Sequence, residues 1–272
     1  IEDNAIHFDN YTKKNRTKTF SGSFGDFSIY SFNIMKNISS FFGGAISTND
    51  EEFKKFYEKE YKKLDSFSKL PLIRQVFVFL ALKIMSNTFL FRIIFLHIIK
   101  FAHNLNLKFI LGILYPSLKS LRKSLPNYYF TKMSNLSVFV TYLQLKDEEK
   151  RKKFFKIRQT KHAFYLKKIK KVNNHLLTIK IKDKNFQNYL DFPILVKDKI
   201  FLNKFLLSQG IEVRYKHYYN CEKLFRKTKI CINAERYENE LICLPLHSKI
   251  NYPYIEYVIQ KINQYYLKSK ES

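Results

Sequence analysis

A chain of 272 residues is long enough to bury a full core, as one large domain or as two modest ones. Cys221, Cys231 and Cys243 are odd in number and show no C-x-x-C spacing, so neither a disulfide framework nor a metal site such as zinc is indicated, and a reducing cytoplasm fits best. A formal charge of +26 ordinarily points to nucleic acid or an anionic membrane, but crowding with Lys, Asn, Ile, Phe and Tyr is what an AT-rich coding sequence gives whatever the function.

The opening IEDNAIHF reads as the end of a strand carrying Asp3, which predicts further residues upstream of Ile1. Taken alone, Asp3 is an ordinary turn or capping aspartate. Residues Asp9 to Ser23 are polar and basic and read as an exposed loop or hairpin. Phe27 to Phe32 alternates as a strand does, Asn33 to Ser40 is too polar to continue it, and Gly43-Gly44 opens a second strand through Ala45, Ile46 and Ser47. Lys36 therefore lies on a connection between two strands; on spacing alone it is one more solvated lysine in a lysine-rich chain. From Asp50, a natural cap, EEFKKFYEKEYKKL has the helical period at Phe53, Phe56, Tyr57, Tyr61 and Leu64, with Glu51 and Glu52 in its first turn.

Between Asp65 and Asp147 there is no acidic residue. The bases Lys69, Arg74, Lys83, Arg92 and Lys100 keep the apolar runs there well short of the roughly 18 to 20 residues that a bilayer span needs. Leu70-Pro71 and Ser86-Asn87 divide the segment into helix-sized pieces. On a helix from Thr88 to His103, the side chains of Arg92, Lys100 and His103 fall within about 80° of one another, leaving a broad apolar remainder. Two readings stay open: a peripheral contact with an anionic membrane through residues 70 to 125, or an apolar insertion folded onto the domain or a dimer partner.

Ser134 is a candidate N-cap, and the charged stretch from Asp147 to Lys171, with Phe154, Phe155, Tyr165, Leu166 and Ile169 interleaved, reads as a long surface helix. It carries no base-reading motif, so nucleic acid is not an expected partner. Strands are predicted at Leu176 to Ile181, Phe192 to Val196, Ile211 to Tyr215 and Ile242 to Leu244. Helices are predicted at Asp198 to Gln209, ended by Gly210, at Ala234 to Leu241, and at Tyr252 to Lys268 with Pro253 near its first turn. The expected organisation is residues 1–65, a helical insertion 66–126, connecting helices 127–171 and a small α/β domain 172–272.

The ordered set Asp26, Ser31-Phe32, Lys36, Gly43-Gly44 and Thr48-x-Asp50 resembles the cofactor-lysine region of the DegT-type sugar aminotransferases, which use pyridoxal phosphate (PLP). Glu2-Asp3-x-Ala5, Lys132-Met133-Ser134 with Gln144-Leu145, Phe192-Pro193, Gly210-Ile211-x-x-Arg214, Asn233-Ala234-Glu235-Arg236 and Leu244-Pro245-Leu246-His247 follow the same pattern, over roughly 1–65 and 130–267. The resemblance implies an α/β fold of the PLP-dependent transferase type (fold type I), with part of a large domain followed by a small one, and a cytoplasmic homodimer. The implied reaction moves an amino group from glutamate to a keto-sugar nucleotide for surface polysaccharide.

In that family a lysine amine condenses with the PLP aldehyde and later moves the proton, which falls to Lys36; a carboxylate keeps the pyridine nitrogen protonated, which falls to Asp3; a serine hydroxyl meets the phosphate, which falls to Ser31. The resemblance also places Arg214 and His217 near the substrate pocket. Two departures stand out: Ile6 replaces the usual Gln or His, with His7 one place later, and Phe130 stands where the family has an asparagine that reaches the other subunit's phosphate. A rival expectation is a membrane-surface protein with a degenerate PLP site.

Overall fold

A computed structural model describes residues 1–14, 17–34, 36–107, 109–110, 124–125, 127–169, 177–178, 184–215, 218–225 and 231–271. In chain order the strands are β1 (Glu2–Asp3), β2 (Tyr11–Lys14), β3 (Thr17–Phe20), β4 (Phe27–Ser31), β5 (Gly44–Thr48), β6 (Leu177–Thr178), β7 (Phe192–Leu195) and β8 (Leu241–Leu244). The helices are α1 (Glu51–Lys63), α2 (Lys69–Met85), α3 (Thr88–Leu90), α4 (Leu96–Asn104), α5 (Asn135–Lys146), α6 (Glu148–Ile169), α7 (Lys199–Ser208), α8 (Cys221–Phe225), α9 (Ile232–Glu240) and α10 (Tyr252–Glu271). The chain forms two compact units. The first comprises Ile1–Ser86, Arg122–Phe155 and Ile181–Asn188; the second comprises Asn87–Leu121, Lys156–Lys180 and Tyr189–Ser272.

In the first unit β4 is the central strand of three, parallel to β1 and antiparallel to β5. The expected hairpin is β2 paired with β3. Asp50 caps α1 as its sequence indicated, accepting from the N–H of Phe53 at 2.8 Å, and Ser134 caps α5 by accepting from the N–H of Ser137 at 3.2 Å. The break expected at Leu70-Pro71 falls earlier: α2 begins at Lys69 with Pro71 in its first turn, where a missing N–H leaves no helix hydrogen bond unmade. The break at Ser86 is present, as the C-cap of α2.

The second unit carries the antiparallel order β6-β7-β8. Phe192, Ile194, Ile242 and Leu244 of its strands are buried with Leu202 and Leu206 of α7, Ile255 and Val258 of α10 and Tyr165 of α6. Full burial of side chains of this size stabilises by about 1.5–3 kcal/mol each. Gly210, at φ +80°, ends α7 as expected. The predicted strand at Ile211 to Tyr215 is reduced to one bridge, Arg214 with Cys243 at the edge of β8.

The surface reading of residues 147–171 is corrected in its second half. Lys161, His162, Tyr165 and Ile169 are buried, the Tyr165 ring stacks on Phe192 at 4.7 Å, and Lys161 Nζ satisfies itself by donating to the carbonyls of Ser248 at 2.6 Å and His247 at 3.3 Å. A lysine whose stem is covered while its amine finds carbonyls looks, in sequence, like any solvated lysine. The regular helix predicted over Thr88 to His103 is likewise interrupted by a π turn at Phe91–Phe95, which shifts the phase between Arg92 and Lys100. Beyond it, Leu96 and Ile99 of α4 pack against Leu207, and Lys100 Nζ donates to the carbonyl of Ser208 at 2.9 Å. Among the described residues no helix is long and apolar enough to cross a membrane.

Candidate active site

The site is set by strand register. Glu2 lies opposite Ser28 and Asp3 opposite Ile29 in the parallel pair, while Ser31 lies opposite Gly44 in the antiparallel one. Since side chains alternate along a strand, Asp3, Ile29 and Ser31 share one face of the sheet. The N–H of Asn4 donates to the carbonyl of Ile29 at 2.8 Å, so β1 stays tied to β4 as far as the residue after Asp3. Asp3 itself is exposed, and its Oδ1 accepts from the N–H of Ala5 at 2.9 Å, which turns the chain away from the strand end.

Glu2 is the anchor of this corner, a role its sequence did not reveal. Its carboxylate accepts the N–H groups of Gly22 at 2.8 Å, Phe24 at 2.5 Å and Gly25 at 2.7 Å. Burial opposes its ionisation, yet the hydrogen bonds from Gly22, Gly25 and Phe24 outweigh that and hold the carboxyl below its ordinary value.

Lys36 follows β4 on a loop whose main chain is closed by its own polar residues. The Phe32 N–H donates to the carbonyl of Gly43 at 2.9 Å, and the Ser40 N–H donates to that of Phe32 at 2.6 Å. The Ser39 hydroxyl donates to the carbonyl of Lys36 at 2.8 Å and accepts from its N–H at 3.2 Å, so one side chain satisfies both main-chain groups of the lysine. Asn37 Nδ2 donates to the carbonyl of Ile6 at 3.2 Å and ties the lysine loop to the loop after Asp3. The two glycines are where backbones approach: a Cβ at Gly44 would lie 2.4 Å from the Tyr30 carbonyl oxygen, and one at Gly43, whose φ is +121°, would lie 2.5 Å from Met133 Sδ.

A small cleft opens here, lined by Ala5, Ile6, His7, Ser31, Phe32 and Asn37 among others. His7 stacks on Phe186 at 5.7 Å and, beside the Asn10 side chain and the Phe186 carbonyl, its Nδ1 makes no hydrogen bond of ordinary geometry; Asn37 Oδ1 is also buried without a partner. Burial lowers the imidazole below its ordinary value. Asn37 Oδ1, an acceptor without a donor, leaves one polar atom of this lining open to a ligand that donates a hydrogen bond. Of the three residues assigned to PLP, Ser31 lines this cleft, while Lys36 and Asp3 are chain neighbours of its lining residues Asn37 and Asn4.

Of the other two residues singled out from the sequence, Arg214 lies in the second unit, where Nη1 meets Asp191 Oδ2 at 3.0 Å, and His217 lies outside the described residues. His247 settles the turn after Pro245, its Nδ1 accepting from the N–H of Lys249 at 3.2 Å. Phe130, on the 3-10 turn Asn127–Phe130, is exposed.

The sequence pattern of the DegT/DnrJ/EryC1/StrS aminotransferase family matches residues 2–66 and 120–263, leaving the intervening helical segment unmatched. No curated protein matches the chain in sequence. Among solved structures, a putative sugar aminotransferase from Streptococcus pneumoniae in its apo form is similar with a TM-score of 0.61 at 15% identity, covering 99% of this chain and 58% of that one. An aminotransferase from Brucella abortus gives 0.58 at 13% identity over 97% and 56% of the two chains. An aminotransferase of pseudoaminic acid biosynthesis from Helicobacter pylori gives 0.56 at 18% identity over 94% and 57%. The chain therefore spans little more than half the length of the structures it matches. With lysine loop, glycine pair and small-domain core all in place on the fold of PLP-dependent type I transferases, the chain belongs to the DegT/DnrJ/EryC1/StrS aminotransferase family.

Proposed function

We propose that this chain forms part of a PLP-dependent sugar aminotransferase in which Lys36 holds the cofactor and shuttles the proton. The observation that carries the reading is the lysine loop itself, leaving β4 directly after Ser31 and tied by Asn37 to the segment following Asp3. When bound, PLP supplies an electron sink for the bond broken at the substrate carbon. Ser31 would donate a hydrogen bond to the phosphate, and Asp3 would keep a proton on the pyridine nitrogen. The Lys36 amine would be the base that takes and returns the proton moved in the reaction. The Streptococcus pneumoniae structure has also been solved in PLP and PMP forms, which supports the same cofactor here.

The finer assignment belongs to the same proposal: glutamate as amino donor, a keto-sugar nucleotide as acceptor, a product destined for surface polysaccharide, and a cytoplasmic homodimer. The names of the neighbouring sugar aminotransferases support the sugar acceptor within it. Incubation with PLP followed by borohydride should leave the reduced cofactor on the peptide containing Lys36, and Lys36→Ala should abolish that label. A label spread over many lysines, or one that survives Lys36→Ala, overturns the reading.

A further inference from the structure

Gln144 lies near the end of α5, far along the chain from the lysine loop, yet its side chain treats that loop as a neighbouring strand would. Oε1 accepts the N–H of Ser39 at 3.0 Å and Nε2 donates to the carbonyl of the same residue at 2.6 Å. A side-chain amide carries a donor and an acceptor side by side, so it can satisfy both main-chain groups of one residue at once. The amide is itself held: Nε2 also donates to the carbonyl of Val140 at 3.0 Å, and Arg151 Nη1 donates to the carbonyl of Gln144 at 2.7 Å. Ser39 passes the constraint on, because its hydroxyl engages both the N–H and the carbonyl of Lys36.

We infer that Gln144 is the positioning residue of the cofactor lysine, acting through Ser39; this rests on the assignment of Lys36 above. Its amide fixes the Ser39 peptide, the Ser39 hydroxyl fixes the Lys36 peptide, and the amine at the end of a long flexible stem is thereby aimed from a rigid base. Placement matters because a shift of about 1 Å in a reacting group can cost on the order of a hundredfold in rate.

The test uses the full chain, with Gln144→Met, which keeps length and loses both hydrogen bonds, and Gln144→Glu, which keeps the acceptor for the Ser39 N–H and loses the donor. In Gln144→Met the Ser39 amide should exchange with deuterium about tenfold faster, with little change at Ser40, whose N–H bonds to Phe32 instead. Gln144→Glu, whose second oxygen would face the carbonyls of Ser39 and Val140, should lose protection as Gln144→Met does. Borohydride-fixed PLP at Lys36 should accumulate several-fold more slowly in Gln144→Met than in the unaltered chain. Unchanged Ser39 exchange in Gln144→Met, or loosened exchange with unchanged labelling of Lys36, overturns the positioning role while leaving the cofactor lysine intact. Absence of label at Lys36 in the unaltered chain overturns the cofactor assignment, and the positioning role with it.

Discussion

The lysine corner of the first unit and the sheet core of the second are held together by different physics. Among the described residues of 1–66 the buried apolar side chains are Phe32 and Ile38, whereas Asn4, Asn10, Ser21, Ser28 and Ser40 are buried polar ones. Around β7 and β8 the balance is reversed: Phe192, Ile194, Ile242, Leu244, Leu202, Leu206, Ile255 and Val258 are all essentially inaccessible. One region is closed in part by side chains that hydrogen-bond to backbone, such as Asn10 and Ser40, the other by apolar area removed from water. The difference teaches that the second can tolerate exchange of one hydrophobe for another, while the first depends on the identity and geometry of single polar groups.

The largest expected effect tests the apolar side. Leu206→Ala should destabilise by about 2–5 kcal/mol in urea unfolding, since the side chain is fully buried and a cavity remains. A cost below about 1 kcal/mol would show that this core is loosely packed and would break the contrast.

Acid should separate the two regions next. Burial pushes the His162 imidazole from its ordinary 6.5 down to about 4. The unfolded chain therefore binds the extra proton first, so stability is complete above pH 6.5, falls by about 3 kcal/mol as pH drops towards 4, and levels below that. His162→Phe, whose ring can occupy the place against Tyr189 and Phe192, should remove that slope. Glu2 behaves differently: its folded value lies below the ordinary 4.5, so its contribution is present above pH 4.5 and is lost as pH falls through the folded value. Glu2→Gln should flatten this second, smaller loss, and stability measured by thermal unfolding across both windows checks the pair. A single transition window for both variants would erase the distinction.

Gly44→Ala sharpens the comparison at smaller scale. Its Cβ would meet the Tyr30 carbonyl oxygen, a backbone atom that cannot rotate aside, so the β4–β5 ladder must open; about 1–2 kcal/mol is expected in thermal unfolding. An increase in stability at this position would mean that the ladder yields freely there.

Much of the site was legible because it is local. Alternation gave β4, polarity ended it, the glycine pair opened β5, and Asp50 and Ser134 announced their helices; each signal lies within a few residues of what it controls. What escaped acts at a distance or through geometry that residue type does not encode. Gln144 was visible as part of a motif, but its hold on Ser39 depends on two segments meeting in space. Arg214 pairs with Asp191, a partner the sequence does not announce because the two lie 23 residues apart. The buried half of α6 was mistaken for surface because a lysine with carbonyl partners and a histidine among aromatic rings leave no periodic trace.

The sequence by itself determined the family, the strand-loop-strand unit that carries Lys36, and the boundaries of most helices, since these follow from short-range periodicity, capping and glycine chemistry. Tertiary structure alone decided that Gln144 meets the Ser39 peptide of the lysine loop and that Asn37 of that loop meets the Ile6 carbonyl. The physical reason is that every main-chain N–H and carbonyl taken from water needs a partner, and for an irregular loop that partner comes from wherever the fold brings one.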